Sequence, residues 1–353
     1  MANPEHIKVF KPSNPEVGHP LERSRCHPKT GQRFYVKGEE YTLGGVIGDG
    51  AAGLVRKATK VLDNSPRAIK FLAPDSKYIE EDAFDDVAIR FRREGERGVK
   101  LNHRNLMAIY AYCDNEDGSA FETKEPKNPF LLMEQIKGRT LERYILNCRN
   151  EEESEFDITR ERLHIGIQIV SALEDLHKKK LIHRDVKPAN IFLSQTSDQM
   201  QFPYVKLGDF GIMKWGDFYA SLSTGALTAT HQKGLGTLKY MSPEQALAPK
   251  TITVRSDMYS LGITLFELFT GQILATPHHV FEIMNARLLR GNTTSRLYSM
   301  GYRLNLEDEG IAGLLLDMHL RGVMGRPTID KVRGRMEHEY EARYEVNWES
   351  DLV

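Results

Sequence analysis

The text is mainly strand-like up to Gly138 and mainly helix-like beyond it, and that order dictates the layout of the chain. From Tyr41 onward, Tyr41-Thr42-Leu43, Gly53-Leu54-Val55 and Arg67-Ala68-Ile69-Lys70-Phe71-Leu72 are β-type runs separated by turns bearing Gly or Pro, the pattern of an antiparallel sheet. Residues 83–101 place Phe84, Val87, Ala88 and Phe91 near helical spacing among charges, which predicts one amphipathic helix. Two more strands are expected at 106–112 and 130–133, joined by a polar loop. Beyond Gly138 the pattern is mainly helical, with helices predicted over 141–147, 159–178, 254–270, 280–289 and 311–320. Strands ahead of helices give an α+β chain in two unequal lobes.

Bulk properties exclude several classes. With 353 residues, 40% hydrophobic and 27% charged, the chain can fill two separate cores, and wholesale disorder is ruled out. Lys plus Arg (48) balance Asp plus Glu (49), so no global field favours nucleic acid or a membrane surface. Cys26, Cys113 and Cys148 form neither a metal-ligand spacing nor an even-numbered framework, which points to a reducing, cytoplasmic setting, with a secreted effector left open. No secretory leader is read at the start, and no run approaches the roughly 20 apolar residues of a membrane span. Residues 1–38, carrying Pro4, Pro12, Pro15, Pro20 and Pro28, read as a Pro-containing extension rather than a domain.

Chemistry enters with Gly48-Asp49-Gly50-Ala51-Ala52-Gly53-Leu54-Val55, a Gly-x-Gly-x-x-Gly-x-Val run between two predicted strands. Glycines let backbone N–H groups approach phosphate oxygens without a Cβ in the way. By itself the run fits a plain hairpin as well, but a strand after Gly53 argues against a dinucleotide-binding turn. Lys70 ends the next strand, and Glu94 lies on the predicted helix; alone, each is an ordinary solvated charge. The decisive text is His183-Arg184-Asp185-Val186-Lys187-Pro188-Ala189-Asn190, followed by Asp209-Phe210-Gly211. Over about 41–338 the sequence resembles the eukaryotic-type protein kinases, its phrases being most similar to soluble bacterial members.

That resemblance implies a bilobal fold: residues 39–134 as a small lobe with a five-stranded antiparallel sheet and one helix, and 135–338 as a larger, mainly helical lobe; residues 339–353, beyond it, read by composition as a charged tail. It implies ATP and Mg2+ as cofactors. Asp185 would accept or orient the substrate hydroxyl proton, Lys187 reach the γ-phosphate, and Asn190 and Asp209 hold magnesium, a hard cation that prefers oxygen ligands. Lys70 would grip the α- and β-phosphates, braced by Glu94, beneath the loop of Gly48, Gly50 and Gly53. Adenine would lie between Val55, Ala68 and Phe192, with Met133, Glu134 and Ile136 in the hinge segment; each of these apolar side chains would serve equally well as plain core.

Lys187, with Gly236-Thr237 ahead of Tyr240-Met241-Ser242-Pro243-Glu244, is the serine/threonine pattern, and Thr237 joins the implied catalytic set. Glu244 is expected to pair with Arg326, and Asp257 to anchor the catalytic loop. Arg184 would receive a phosphorylated residue, for which Thr228, Thr230, Ser221, Ser223 and Thr224 are candidates. Protein substrates bearing Ser or Thr are the implied partners, with no nucleic acid; dimerisation is left open. A scaffold that has lost catalysis would lack Lys70, Asp185 or Asp209, and all three are present. An aminoglycoside-type kinase would lack the segment from Gly236 to Glu244. One departure stands out: Gly95 and Gly98 fall at interior positions of the helix that carries Glu94, each costing about 1 kcal/mol relative to Ala, and Gly98 stands where the resemblance implies a bulky apolar residue. The expectation is a helix that is shortened, mobile or completed by the Pro-containing extension or a partner, and a Gly98→Leu variant of raised basal activity.

Overall fold

The structure, a computed structural model, describes residues 30–50, 53–72, 81–114, 129–150, 159–194, 201–209, 239–247, 251–272, 309–320 and 323–352. Its described residues divide into two compact units. The first holds those up to Asn102 together with Met107–Gln135; the second holds His103–Leu106 and those from Ile136 onward.

The first unit is a sheet of six strands in the order β1-β2-β3-β4-β6-β5, every neighbouring pair antiparallel. Its strands are β1 (Arg33–Val36), β2 (Glu39–Gly50), β3 (Gly53–Lys60), β4 (Pro66–Phe71), β5 (Ile109–Cys113) and β6 (Phe130–Glu134), with helix α1 (Glu81–Gly98) between β4 and β5. Five strands were expected, and the sixth is β1, which lies inside the segment read as an extension. Four residues with alternating burial give too short a signal to stand out in a Pro-bearing leader, and β1 exists because β2 pairs with it. Phe34 stacks on its register partner Tyr41 at 5.3 Å and meets Phe130 of β6 edge-on at 6.0 Å. The sheet therefore curls: Lys37, in the turn after β1, donates to the carbonyl of Tyr110 on β5, at the far end of the strand order. Phe34, Val36, Tyr41, Leu43, Ile69, Phe71 and Phe130 fill the curl.

Phe34 is fully buried, so Phe34→Ala should lower the unfolding free energy by about 3 kcal/mol through lost burial and a residual cavity. Urea titration followed by tryptophan-independent circular dichroism measures this; a change under about 1 kcal/mol would show β1 to be a loosely attached edge.

In the second unit two buried helices, α3 (Arg160–Lys178) and α5 (Val254–Thr270), form the interior, preceded by α2 (Leu141–Asn150) and followed by α6 (Glu309–Leu320) and α7 (Ile329–Tyr344), with the short α4 (Pro243–Leu247) before α5. Thr159 caps α3 by accepting from Arg162 N–H. Thr253 and Ser256 form a capping box on α5, and Gly271 ends it with φ of 65° in the left-handed region. A three-stranded sheet of β7 (Gly138–Thr140), β8 (Ile191–Ser194) and β9 (Tyr204–Leu207) carries the loop between α3 and β8. The helix expected at 280–289 lies outside the described residues.

Residues 339–352, read from composition as a charged tail, complete α7 and then form a 3-10 turn at Trp348–Leu352. Tyr340 and Trp348 are buried, and Asp351 accepts two hydrogen bonds from the Arg160 guanidinium at 2.9 and 2.7 Å. The Trp348 ring lies 6.0 Å from that of His164, whose burial lowers its pKa to about 4. Charges dominate the composition here, but Asp351 pairs with Arg160 and Arg343 with Glu339, and two aromatic anchors decide the outcome. Among the described residues no helix is long and apolar enough to cross a membrane.

Candidate active site

Each unit brings together part of the residue set expected from the sequence. In the first, Lys70 sits on β4 and Glu94 on α1, with Nζ to Oε1 at 3.4 Å and both side chains buried. A buried ammonium and carboxylate are each costly alone, so they are held as a pair. Val55 on β3 is the register partner of Lys70, and Ala68 on β4 is that of Met133 on β6. Val55 and Met133 are half-buried. The glycine run is a hairpin whose strands β2 and β3 register Gly48 with Val55 and Gly50 with Gly53; Ala51 and Ala52 lie outside the described residues. Glu134 fixes the end of β6: its N–H donates to the Ala108 carbonyl at 2.8 Å and its carboxylate accepts from Ala108 N–H at 3.2 Å.

The second unit assembles the other set on the loop between α3 and β8. Asp185 Oδ2 lies 3.0 Å from Lys187 Nζ and accepts from Asn190 Nδ2 at 2.8 Å; the same amide donates to the Asp185 carbonyl at 2.8 Å. Both amide hydrogens of Asn190 are thus committed to Asp185, which leaves Oδ1 as the acceptor of that side chain. Gly208 N–H donates to the Asn190 carbonyl at 3.0 Å, so Asp209 follows directly beside it. Phe192 on β8 is half-buried, as is Ile136, two residues before β7.

What fixes this loop is Asp257 on α5. Its Oδ2 accepts from His183 N–H at 2.8 Å and lies 2.9 Å from His177 Nε2, while Oδ1 accepts from Arg184 N–H at 2.7 Å. Arg184 takes φ of 68° and Asp209 φ of 55°, left-handed conformations costing about 1–3 kcal/mol each for a side-chain-bearing residue. A fully buried carboxylate clamping the two amides on either side of His183 Cα holds the chain in that shape. His183 is fully buried: burial, only partly opposed by Asp257 and Asp185, lowers its pKa. Its Nδ1 accepts from Asp185 N–H at 3.3 Å, so Nε2 carries the hydrogen that reaches the Gly208 carbonyl at 3.2 Å. One neutral ring thereby ties the loop between α3 and β8 to the residue preceding Asp209.

The expected pair of Glu244 and Arg326 is formed, bidentate at 2.6 and 3.0 Å and buried on both sides. Two supports escaped the sequence reading. His177 braces Asp257, and Gln245 donates to the Arg184 carbonyl at 2.9 Å. Neither has a distinguishing spacing, since both act through contacts far apart in the chain. The glycines of α1 are corrected by the geometry: both are buried against the sheet, so they are contact points rather than breaks in the helix. Thr237, Phe210, Gly211 and the candidates Ser221, Ser223, Thr224, Thr228 and Thr230 lie outside the described residues.

An antiparallel sheet with one helix, a helical second unit, and a loop that presents Asp185, Lys187 and Asn190 are the parts of a protein kinase fold. Residues 41–335 match the protein kinase domain, and the chain belongs to that family. It is 34% identical over 243 residues to a probable serine/threonine-protein kinase PknB of Bifidobacterium longum, covering 67% of this chain and 31% of that protein. Against the serine/threonine-protein kinase PrkC of Bacillus subtilis the identity is 34% over 233 residues, covering 66% and 31%. The chain thus spans about a third of the length of these curated relatives. Its fold is similar to the PknI kinase domain of Mycobacterium tuberculosis, with a TM-score of 0.59, 21% identity, and coverage of 91% of this chain and 100% of that one.

Proposed function

We propose that the chain is an ATP- and magnesium-dependent serine/threonine protein kinase that moves the γ-phosphoryl group of ATP onto protein hydroxyls. The observation that carries this reading is the Asp185 carboxylate, steadied by Lys187 and Asn190 on a loop clamped by Asp257. A hydroxyl donating to Asp185 Oδ gives up its proton there as its oxygen attacks, while the clamp keeps the carboxylate oriented. Lys187 stands beside that carboxylate, where its ammonium can offset charge on the group in transfer.

The residues present fit a nucleotide and a hard cation. Asn190 Oδ1 and the Asp209 carboxylate are the oxygen donors such a cation prefers, and they follow one another through the Gly208 to Asn190 hydrogen bond. Magnesium, when bound, neutralises phosphate charge. Lys70, held by Glu94, would contact the α- and β-phosphates; the backbone of Gly48, Gly50 and Gly53 would cover them. Val55, Ala68, Met133 and Phe192 would flank the adenine, and the backbone of Glu134 and Ile136 would meet its edge. Thr237 would act with Asp185 on the substrate hydroxyl.

Incubation with labelled ATP, magnesium and a generic basic protein should place label on serine and threonine, and a chelator should abolish it. Label confined to a small-molecule acceptor, or no label with nucleotide bound, defeats the proposal. The kinase should also phosphorylate its own segment at Thr228 or Thr230, or at Ser221, Ser223 or Thr224, in a reducing, cytoplasmic setting. Mass spectrometry after the same incubation measures this; an unmodified segment in fully active enzyme would exclude it.

A further inference from the structure

We propose that Gly95 and Gly98 are positioning residues that seat α1 directly on the sheet and so bring Glu94 to Lys70, an inference that rests on the kinase reading for its effect on turnover but not for its geometry. Glycine inside a helix costs about 1 kcal/mol relative to Ala, so Gly95 calls for a reason, and Gly98, the last residue of α1, lies on the same face one turn on. The contacts supply one. A Cβ at Gly95 would lie 2.6 Å from Tyr112 Cβ and 2.7 Å from Leu131 Cδ2; at Gly98 it would lie 2.4 Å from Ile109 Cδ1 and 3.2 Å from Ile109 Cγ1.

The two positions differ in how the clash can be relieved. Tyr112 Cβ is fixed to the backbone of β5, so a methyl at Gly95 can be accommodated only by moving the helix. At Gly98 the closest atom is the end of the Ile109 side chain, which a shorter residue would remove. The seat also lies beside the pair it controls. Glu94 adjoins Gly95, and Leu131, on which Gly95 rests, is the register partner of Lys70. At 3.4 Å the Lys70 to Glu94 contact is near the outer limit of a hydrogen bond, so a lift of about 1 Å breaks it.

The test compares the native chain with Gly95→Ala, Gly98→Ala, Ile109→Ala, and Gly98→Ala combined with Ile109→Ala, using Glu94→Gln as the reference for a broken pair. The first readout needs no turnover: the rate of Lys70 acylation by an amine-reactive ester, quantified by mass spectrometry. A lysine that loses a neighbouring carboxylate gives up its proton more readily, and labels faster. Gly95→Ala and Gly98→Ala should each raise that rate several-fold toward the Glu94→Gln value, and lower kcat about tenfold. In the combined variant both should return to within about twofold of Ile109→Ala alone, a rescue that simple destabilisation would not give. Native labelling and turnover in folded Gly95→Ala, or absence of rescue at Gly98, overturns the proposal. If Gly95→Ala does not fold, the Gly98 and Ile109 pair decides alone. A native chain that transfers no phosphate but shows the labelling pattern would refute the kinase reading while upholding the seat.

Discussion

Asp185→Ala should reduce phosphate transfer by at least about two orders of magnitude while leaving nucleotide binding within a few-fold of native. The substitution removes a carboxylate that both Lys187 Nζ and Asn190 Nδ2 contact, at 3.0 and 2.8 Å, and with it the group proposed to accept the proton and orient the hydroxyl. Asp257 holds the loop through the amides of His183 and Arg184, not through the Asp185 side chain, so the backbone survives the change. Asp185→Asn, which preserves shape but not basicity, should lose a similar amount. Initial rates at saturating ATP, beside nucleotide titration of the same samples, make the comparison. A variant that kept more than about a tenth of the native rate would remove Asp185 from the chemistry.

Arg326→Ala should cost about 3–5 kcal/mol of stability, because it strands Glu244 as a buried charge without its bidentate partner. Arg326 also donates to the Arg255 carbonyl at 2.8 Å and lies 5.0 Å from the centre of the Tyr259 ring, so its loss loosens the start of α5 as well. The pH dependence separates this from a plain cavity. Burial pushes the Glu244 pKa up, but the hydrogen bonds and charge of Arg326 outweigh it, and the net shift is down. The stabilisation is therefore present above the ordinary value of 4.5 and is lost as pH falls through the depressed folded value. In Arg326→Ala burial is opposed only by the hydrogen bonds from the Glu244 amide and Ser256, Glu244 shifts up from its native position, and the variant recovers part of its deficit on acidification. Urea titrations at pH 7 and near pH 4.5 should show the gap between native and variant narrowing; a constant gap would mean that Glu244 is not the stranded group.

Acid should weaken the native chain earlier than this pair alone would. His183 is buried with a depressed pKa, so below its ordinary value of 6.5 the unfolded chain binds a proton that the folded chain refuses. His164 adds to this, its folded value being about 4.

Legibility in the sequence followed the range of the interactions. Helix α5 is found at the expected bounds because its signals are local: Thr253 and Ser256 at one end and Gly271 at the other. The residues around Asp185 were legible because phosphoryl transfer fixes residue types at fixed spacing, and the expected partners Glu244 with Arg326 and Asp257 with the loop are formed. Strand β1 was not legible, because Phe34 becomes a core residue only when Tyr41 and Phe130 close over it. His177 and Gln245 were missed for the same reason. Gly95 and Gly98 were visible but misread: helix propensity is written in the local sequence, whereas the sheet atoms they touch belong to Tyr112, Leu131 and Ile109, well removed along the chain.

The curled sheet and the docked terminus bear on where this protein can be cut. The family match runs from 41 to 335, so a fragment trimmed to it would lack Phe34 and Val36, end α7 before Met336 and Tyr340, and leave Arg160 without Asp351. Such a fragment would keep every residue proposed to act on nucleotide, yet present raw aromatic surface at both ends. Its insolubility would say nothing about the chemistry, and residues 33–36 and 340–351 belong in any expression boundary drawn for it.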